Sequence, residues 1–280
     1  MTEHLQRTAA DWQRILRKHD IRPTRSMGQN FLIEPAIVAH IADVAEVGEG
    51  DLAIEIGPGM GILTRELLSR GARVTGVELD RDLAGFLTAD LGGIDRFSLV
   101  ERDARHVEIE HVTGGERYQV VANLPYSVAT VIIRHFMESA TPPHRMTVMV
   151  QKEVAERMTA KPGEMSLLGL ATQLYADAHI AFVVPPDVFL PPPKVESAVV
   201  DLIVRERPPG TPEQRDRMFQ LATMAFQRKR KTISNGLSMG LDRPKAELDV
   251  TLERIEIDPK RRPQTLNVEE WLQIALEIPA

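Results

Sequence analysis

The segment Ala53-Ile54-Glu55-Ile56-Gly57-Pro58-Gly59-Met60-Gly61 constrains the fold of this chain more than any other. A short apolar run breaks at glycines spaced Gly-x-Gly-x-Gly, and the order reads as a buried strand, a tight turn and a helix. Such a turn lets a ligand come close to the backbone. The next apolar run, Val74 to Leu79, carries an acid at Glu78, about 20 residues past the first glycine, where a carboxylate accepts hydrogen bonds from both hydroxyls of a ribose. Ile62 stands where a dinucleotide fingerprint has its third glycine, which argues against a pyrophosphate cofactor. S-adenosylmethionine, a nucleoside without pyrophosphate, fits the pattern.

A second motif ends another apolar run, Tyr118 to Ala122: Asn123-Leu124-Pro125-Tyr126. An Asn-x-Pro-aromatic turn suits alkylation of a planar exocyclic amine. The lone pair of adenine N6 is delocalised into the ring, so a catalyst must hold both amine hydrogens on acceptors and turn the lone pair toward an electrophile. Asn123 Oδ1 and a nearby main-chain carbonyl can serve as those acceptors. Pro125 fixes φ and Tyr126 offers a face for a base to stack on. Taken alone, the tetrapeptide reads equally well as a strand ending in an ordinary Asn/Pro turn.

Apolar runs near 52–57, 73–79, 97–101, 118–123, 146–151, 178–184 and 197–204 have strand character, and several segments between them carry helical periodicity. The fold class is therefore α/β, with a seven-stranded, mostly parallel sheet. Right-handed crossovers put ligands at the carboxyl ends of the strands, and the motifs above lie at or just past those ends. The run Glu196 to Arg205 follows its predecessor closely, so an antiparallel hairpin is expected to close the sheet. Past Arg207-Pro208-Pro209-Gly210, strand signals stop and Met218, Leu221, Ala222 and Ala225 recur at helical spacing. A first domain is thus expected at 1–207 and a small helical domain at 208–280. Val188 to Val195 is too proline-rich for regular structure and reads as an extended, stiff loop. Phe189 on that loop can cover the face of a base opposite Tyr126, or plug a core edge. Lys194 is a phosphate contact or an ordinary surface lysine.

The chain of 280 residues has no cysteine, which excludes disulfides and thiolate metal sites. His40, His106, His111 and His144 are scattered without ligand spacing, so no metal is expected. No apolar stretch approaches the roughly 18 residues of a membrane span, and a cytoplasmic protein is expected. Net charge is −6, which looks wrong for a nucleic-acid partner until it is placed along the chain. From Arg205 to Arg262, 14 Lys/Arg stand against 9 Asp/Glu, and from Met1 to Phe31, 6 stand against 3. A basic rim on an acidic body can focus a polyanion onto one face. The densest patch, Arg228-Lys229-Arg230-Lys231, is a phosphate footprint or a solvated helix face.

Together, Gly28-Gln29-Asn30-Phe31-Leu32, Glu55 to Gly61 with Thr64, Glu78-Leu79-Asp80, Asp103-Ala104, Asn123 to Tyr126, Phe189 through Ser197 and Arg228 through Thr232 resemble the ribosomal RNA adenine N6,N6-dimethyltransferases over nearly the whole chain. The pattern is most similar to the bacterial members that dimethylate two adjacent adenosines near the 3′ end of small-subunit rRNA. The resemblance implies a Rossmann-like class I methyltransferase fold with a C-terminal helical RNA- or ribosome-binding domain, and an N-terminal lid and basic segment at 1–34. It puts cofactor contacts on Asn30, Leu32, Gly57, Gly59, Glu78, Asp103 and Asn123. Base handling falls on Asn123, Leu124, Pro125, Tyr126 and Phe189, and RNA contact on Lys194, Arg228, Lys229, Arg230 and Lys231. The implied partner is 16S rRNA within an immature small subunit, bound by a monomer. The chain departs from the family's usual Gly-Asp-Ala-Leu in reading Arg102-Asp103-Ala104-Arg105, which keeps the acid and changes its surroundings. Either Glu55 or Asp103 also reads as a strand-end cap. Leu124 argues against a DNA adenine methyltransferase, which usually carries Asn/Asp-Pro-Pro-Tyr. A large-subunit rRNA methylase and a mainly non-catalytic assembly factor are the remaining alternatives.

Overall fold

The computed structural model describes residues 9–19, 21 and 29–278. Of the expected N-terminal lid and basic segment, residues 1–8, 20 and 22–28, Gly28 included, lie outside the described residues. The strands among the described residues are β1 (Phe31–Leu32), β2 (Leu52–Ile56), β3 (Arg73–Glu78), β4 (Phe97–Glu101), β5 (Gln119–Asn123), β6 (Arg145–Gln151), β7 (Ala176–Val184), β8 (Phe189–Leu190) and β9 (Ser197–Val204). Seven form one sheet in the order β4-β3-β2-β5-β6-β9-β7, and β1 pairs with β8 in a separate ribbon. The pairs from β4 across to β6 are all parallel. Both faces of such a sheet are covered, which is why β2 is buried at every position, Glu55 included. The chain steps outward from β2 in both directions, so strand order reverses between β2 and β5, and a crevice opens there beyond the carboxyl ends.

At its end the sheet carries β7 and β9 side by side, as the close succession of the two runs predicts, but the last strand does not take the edge. The last strand, β9, lies between β6 and β7 and pairs antiparallel with β6 from Arg145↔Ile203 to Gln151↔Ser197. Burial explains the placement. Ala198, Val199, Val200 and Leu202 are completely buried, which demands a neighbour on both sides, whereas β7 exposes alternate polar residues such as His179 and so tolerates the edge. The proline-rich stretch is also less irregular than expected, since Phe189 and Leu190 pair with Leu32 and Phe31.

The helices Pro35–Val44, Ile62–Ser69 and Arg81–Leu91 bury Val38, Ile41, Leu67, Leu68, Leu87 and Leu91 in one core, which also takes Trp12 and Leu16 of the helix Ala9–Lys18. The third glycine of the loop belongs to this packing. Gly61 has φ +74°, and a Cβ on it would lie 2.9 Å from Leu87 Cδ2, so only glycine lets the helix start there.

Two compact units divide the chain: one takes it up to Ala155 together with Ala178–Glu206, the other takes Glu156–Asp177 and the chain from Arg207 onward. A single boundary at 207, as the sequence predicts, places 156–177 in the first domain. Their helix Leu167–Tyr175 instead buries Leu170 and Leu174 in the core formed by Leu221, Leu237, Trp271 and Ile274. Periodicity shows that a helix has an apolar face but not what the face meets. The second unit also holds the helices Pro212–Phe226, Ile233–Leu241, Lys245–Arg254 and Val268–Glu277. Capping boxes at Thr211/Gln214 and Asn267/Glu270 start the first and last of these. No helix among the described residues is long and apolar enough to cross a membrane.

Candidate active site at the strand ends

An open cavity of about 280 Å³ lies beyond the carboxyl ends of β2, β3 and β5. All seven residues expected to contact the cofactor line it, and so do Leu124, Pro125 and Tyr126. Glu78, at the end of β3, is 6% exposed and accepts three main-chain N–H groups: Gly59 at 3.1 Å on Oε2, and Leu79 and Asp80 at 2.9 Å on Oε1. Burial pushes its pKa up, and those bonds oppose the rise. The carboxylate thereby staples the glycine loop to the end of β3. Asp80 caps the helix Arg81–Leu91 through the N–H groups of Asp82 and Leu83, and its other oxygen accepts from Gln29 Nε2 at 2.9 Å. Gln29 so ties the segment before β1 to the same corner.

Glu55, one strand over, is 2% exposed and accepts a 2.5 Å hydrogen bond from the Thr64 hydroxyl. Burial pushes its pKa up to about 8, so at neutral pH it is mostly the neutral acid. It braces the loop to the helix that follows. Gly57 has φ +65°, and a Cβ built there would meet nothing within 4 Å, so the space above the loop is open.

Asp103 meets Arg105 instead of open space. The guanidinium grips the carboxylate, with Nη2 at 2.6 Å from Oδ2 and Nε at 3.0 Å from Oδ1, and holds the acid below the usual carboxylate range. The departure from the usual family sequence is therefore felt in the geometry.

On the other wall, Asn123 ends β5 and its Nδ2 donates to the main-chain carbonyl of Asn30 at 3.1 Å. The Leu124 N–H continues the ladder to Met149, and the Pro125 carbonyl accepts from Val128, which closes the turn before the helix Ala129–Met137. Tyr126 is half-buried, and its hydroxyl and Ser197 Oγ share a 2.5 Å hydrogen bond. Burial raises the phenol's pKa, and the ring is held by its tip.

Phe189 does not join them. It is 2% exposed, belongs to the core with Phe31 and Leu32, and does not line the cavity, so the expected stack on a base is not the arrangement in this structure. A phenyl ring with an apolar pocket available is drawn into it, and the β1–β8 pairing supplies that pocket. Lys194 is exposed, away from the cavity lining. Arg228 to Lys231 form a turn between two helices and not a helix face; Lys229, Arg230 and Lys231 are exposed, and Arg228 reaches back to the Met224 carbonyl at 3.4 Å. His144 Nδ1 lies 2.7 Å from the Tyr118 carbonyl, and His40 meets Phe182 edge-on. Among the described residues no group of three or more His, Asp or Glu could hold a metal ion.

Sequence reasoning missed Gln29 as the partner of Asp80, the carbonyl of Asn30 and the tether on Ser197. Gln29 and Ser197 stood inside motifs already singled out, but a main-chain carbonyl has no sequence signal.

The sequence profile of the ribosomal RNA adenine dimethylases matches residues 21–279. The chain belongs to that family. It is an S-adenosylmethionine-dependent methyltransferase acting on adenine in ribosomal RNA. It is 41% identical over 264 residues to the ribosomal RNA small subunit methyltransferase A of Alkaliphilus oremlandii, covering 92% of each chain. The protein of the same name from Clostridium perfringens is 40% identical, with 92% of this chain and 91% of that one covered. Among solved structures, a dimethyladenosine transferase from Plasmodium falciparum superposes with a TM-score of 0.76 at 25% identity, over 88% of this chain and 96% of that one. The 23S rRNA methyltransferase ErmE superposes with a TM-score of 0.71 at 27% identity, over 89% and 99%. The residues present suit the family's cofactor: Gly57 leaves the loop backbone approachable, and Glu78 Oε2, with one N–H on it, keeps a lone pair to accept from a ribose hydroxyl.

Proposed function

We propose that this dimethylase converts two adjacent adenosines in the 3′-terminal hairpin loop of 16S rRNA to N6,N6-dimethyladenosine, acting as a cytoplasmic monomer on an immature small subunit. The observation that carries the reading is that one cavity takes in both the glycine loop with Glu78 and the Asn123 to Tyr126 turn, so methyl donor and base can meet there. The relatives named for the small subunit support the target.

When bound, S-adenosylmethionine supplies an activated methyl group. The work left to the protein is positioning, which is worth about 7–11 kcal/mol as effective molarity. Gly57 and Gly59 let the cofactor approach the backbone, Glu78 accepts from its ribose, and Leu32 and Asn30 close over it. Asp103 accepts from its adenine amine once Arg105 shares or yields the carboxylate. Asn123 Oδ1 and the Leu124 carbonyl accept the two hydrogens of the target amine and turn its lone pair toward the methyl group. They also stabilise the positive charge that builds on nitrogen during transfer. No strong base is needed, because the amine becomes acidic only as it is alkylated. Tyr126 stacks on the flipped base, whose extrusion from a loop costs a few kcal/mol or less. Lys194 and Arg228 to Lys231 hold phosphates.

Nucleoside mass spectrometry after incubating undermethylated small subunits with the protein and labelled S-adenosylmethionine tests this. Dimethyladenosine at two adjacent 3′-terminal positions is expected. Label confined to large-subunit RNA would keep the chemistry and move the target, and no label in any RNA would favour an assembly factor that has lost catalysis.

A further inference from the structure

The cavity wall contains an atom with no sequence signature that decides which way the Asn123 side chain faces. A carboxamide presents an acceptor at one end and donors at the other, and for methyl transfer to an amine only the acceptor end is useful. Asn123 could offer either by a half-turn about χ2. In the structure Nδ2 lies 3.1 Å from the Asn30 carbonyl oxygen. A carbonyl oxygen can only accept, so this contact is a hydrogen bond in one of the two orientations and a repulsion between two oxygens in the other. The choice of orientation therefore follows from chemistry.

The carbonyl is itself held in place from several directions. Phe31, the next residue, pairs with Leu190, and Leu32 pairs with Phe189. The Ile33 N–H adds a bond to the Val188 carbonyl at 3.0 Å. Gln29, on the other side, donates to Asp80. The Phe31 ring lies against the glycine loop so closely that a Cβ on Gly59 would be 3.0 Å from it. Phe189 is the buried anchor of this ribbon, within the core that also holds Phe31, Leu32 and Ile33. A side chain that cannot reach a base in this structure thus still connects to the reacting amine, through β8, β1, a carbonyl and a carboxamide.

We propose that the main-chain carbonyl of Asn30 is a positioning group for the reaction, fixing the Asn123 amide with Oδ1 toward the adenine amine, and that Phe189 acts through it by anchoring the β1–β8 pair. The inference rests on the reading of Asn123 Oδ1 as an acceptor of the target amine. Losing the latch lets the amide populate its unproductive orientation, so turnover falls while the cofactor site keeps its contacts.

Two variants test it in the full-length protein on undermethylated small subunits. Phe189→Leu keeps an apolar side chain in the pocket but loosens the ribbon. Its kcat should fall roughly three- to tenfold, the range of one net hydrogen bond, with KM for S-adenosylmethionine unchanged within about twofold. In parallel, the Asn123 side-chain amide protons, followed by NMR, should exchange faster with solvent than in the unaltered protein. A kcat loss without faster amide exchange, or faster exchange without a kcat loss, would overturn the proposal. Asn123→Asp gives a second readout that folding does not confound. Only the protonated acid can donate to the Asn30 carbonyl and still present an oxygen to the amine, so its relative activity should rise as pH falls. An Asp variant whose pH profile parallels that of the unaltered enzyme would also overturn it. If the unaltered protein methylates no RNA, or if Asn123→Ala is fully active, what fails is the underlying reading of the site and not the latch.

Discussion

The two compact units bury very different things. In the sheet unit, Glu55, Thr64, Arg65, Thr75, Glu78, Thr113, Gln119, Thr147, Ser197 and Asp201 are buried polar or charged residues, whereas the helical unit buries only Thr172 and Ser234 among those described. Its core of Leu, Ile and Trp is apolar, and its charges lie outside, as in the turn Arg228 to Lys231. Burying a polar group costs free energy unless its bonds are made, so a protein retains such groups where geometry must be specified. Four of them face or brace the cavity: Glu78 holds the glycine loop, Glu55 and Thr64 hold the helix after it, and Ser197 holds Tyr126. The contrast teaches where chemistry and affinity are separable. Changes at the cavity in the sheet unit should alter turnover or pH response, and changes at the exposed charges of the helical unit should alter RNA affinity alone.

The hardest test of that division is Tyr126→Ala. Removing one base–aromatic stack is expected to cost about 1–3 kcal/mol, or roughly 5- to 150-fold in kcat/KM, with S-adenosylmethionine affinity unchanged within about twofold. Tyr126→Phe keeps the face and loses only the Ser197 tether, so it should retain most activity. Steady-state kinetics with small subunits would break the comparison if both variants lost cofactor binding equally.

Glu55→Gln sharpens it from the side of stability. The folded protein holds the Glu55 proton up to about pH 8, while the unfolded chain releases it near the ordinary glutamate value of about 4.3. Between those values the folded state binds more protons, so stability falls as pH rises through this window. The glutamine variant lacks this contribution. In the cofactor-free protein it should be more stable than the unaltered chain at pH 8.5, by up to about 5 kcal/mol for a shift of this size, with the gap closing toward pH 5. Denaturant unfolding at both pH values checks the sign, and a gap that widens on acidification would contradict a buried neutral acid.

The smallest effect is expected in the helical unit. Lys229→Gln should leave single-turnover chemistry unchanged and lower the slope of log affinity against log salt by about 0.7, the share of one single-strand phosphate contact. Binding measured at several salt concentrations would show it, and an unchanged slope would remove that side chain from the RNA footprint.

Much of this is legible in the amino-acid sequence. The strands of the sheet declared themselves as apolar runs because a covered parallel sheet needs both faces apolar. The glycine loop, Glu78 and the Asn123 to Tyr126 turn stood out because backbone approach, an acceptor at a strand end and a π-face each require particular residue types. What the residue string could not show was which apolar surface meets which. Helix Leu167–Tyr175 packs with the C-terminal helices, and β9 inserts between β6 and β7. Phe189 illustrates the limit most clearly. Its motif points to a base, but its surroundings bury it, because a phenyl side chain goes where the largest apolar contact is available and that depends on a pairing between segments more than 150 residues apart. The sequence by itself determined the fold class, the cofactor and the chemistry of the reacting wall, since each depends on local residue types. The tertiary structure alone decided that Arg105 occupies Asp103, that Phe189 anchors a ribbon and that the Asn30 carbonyl faces Asn123, because these depend on distances set by long-range packing.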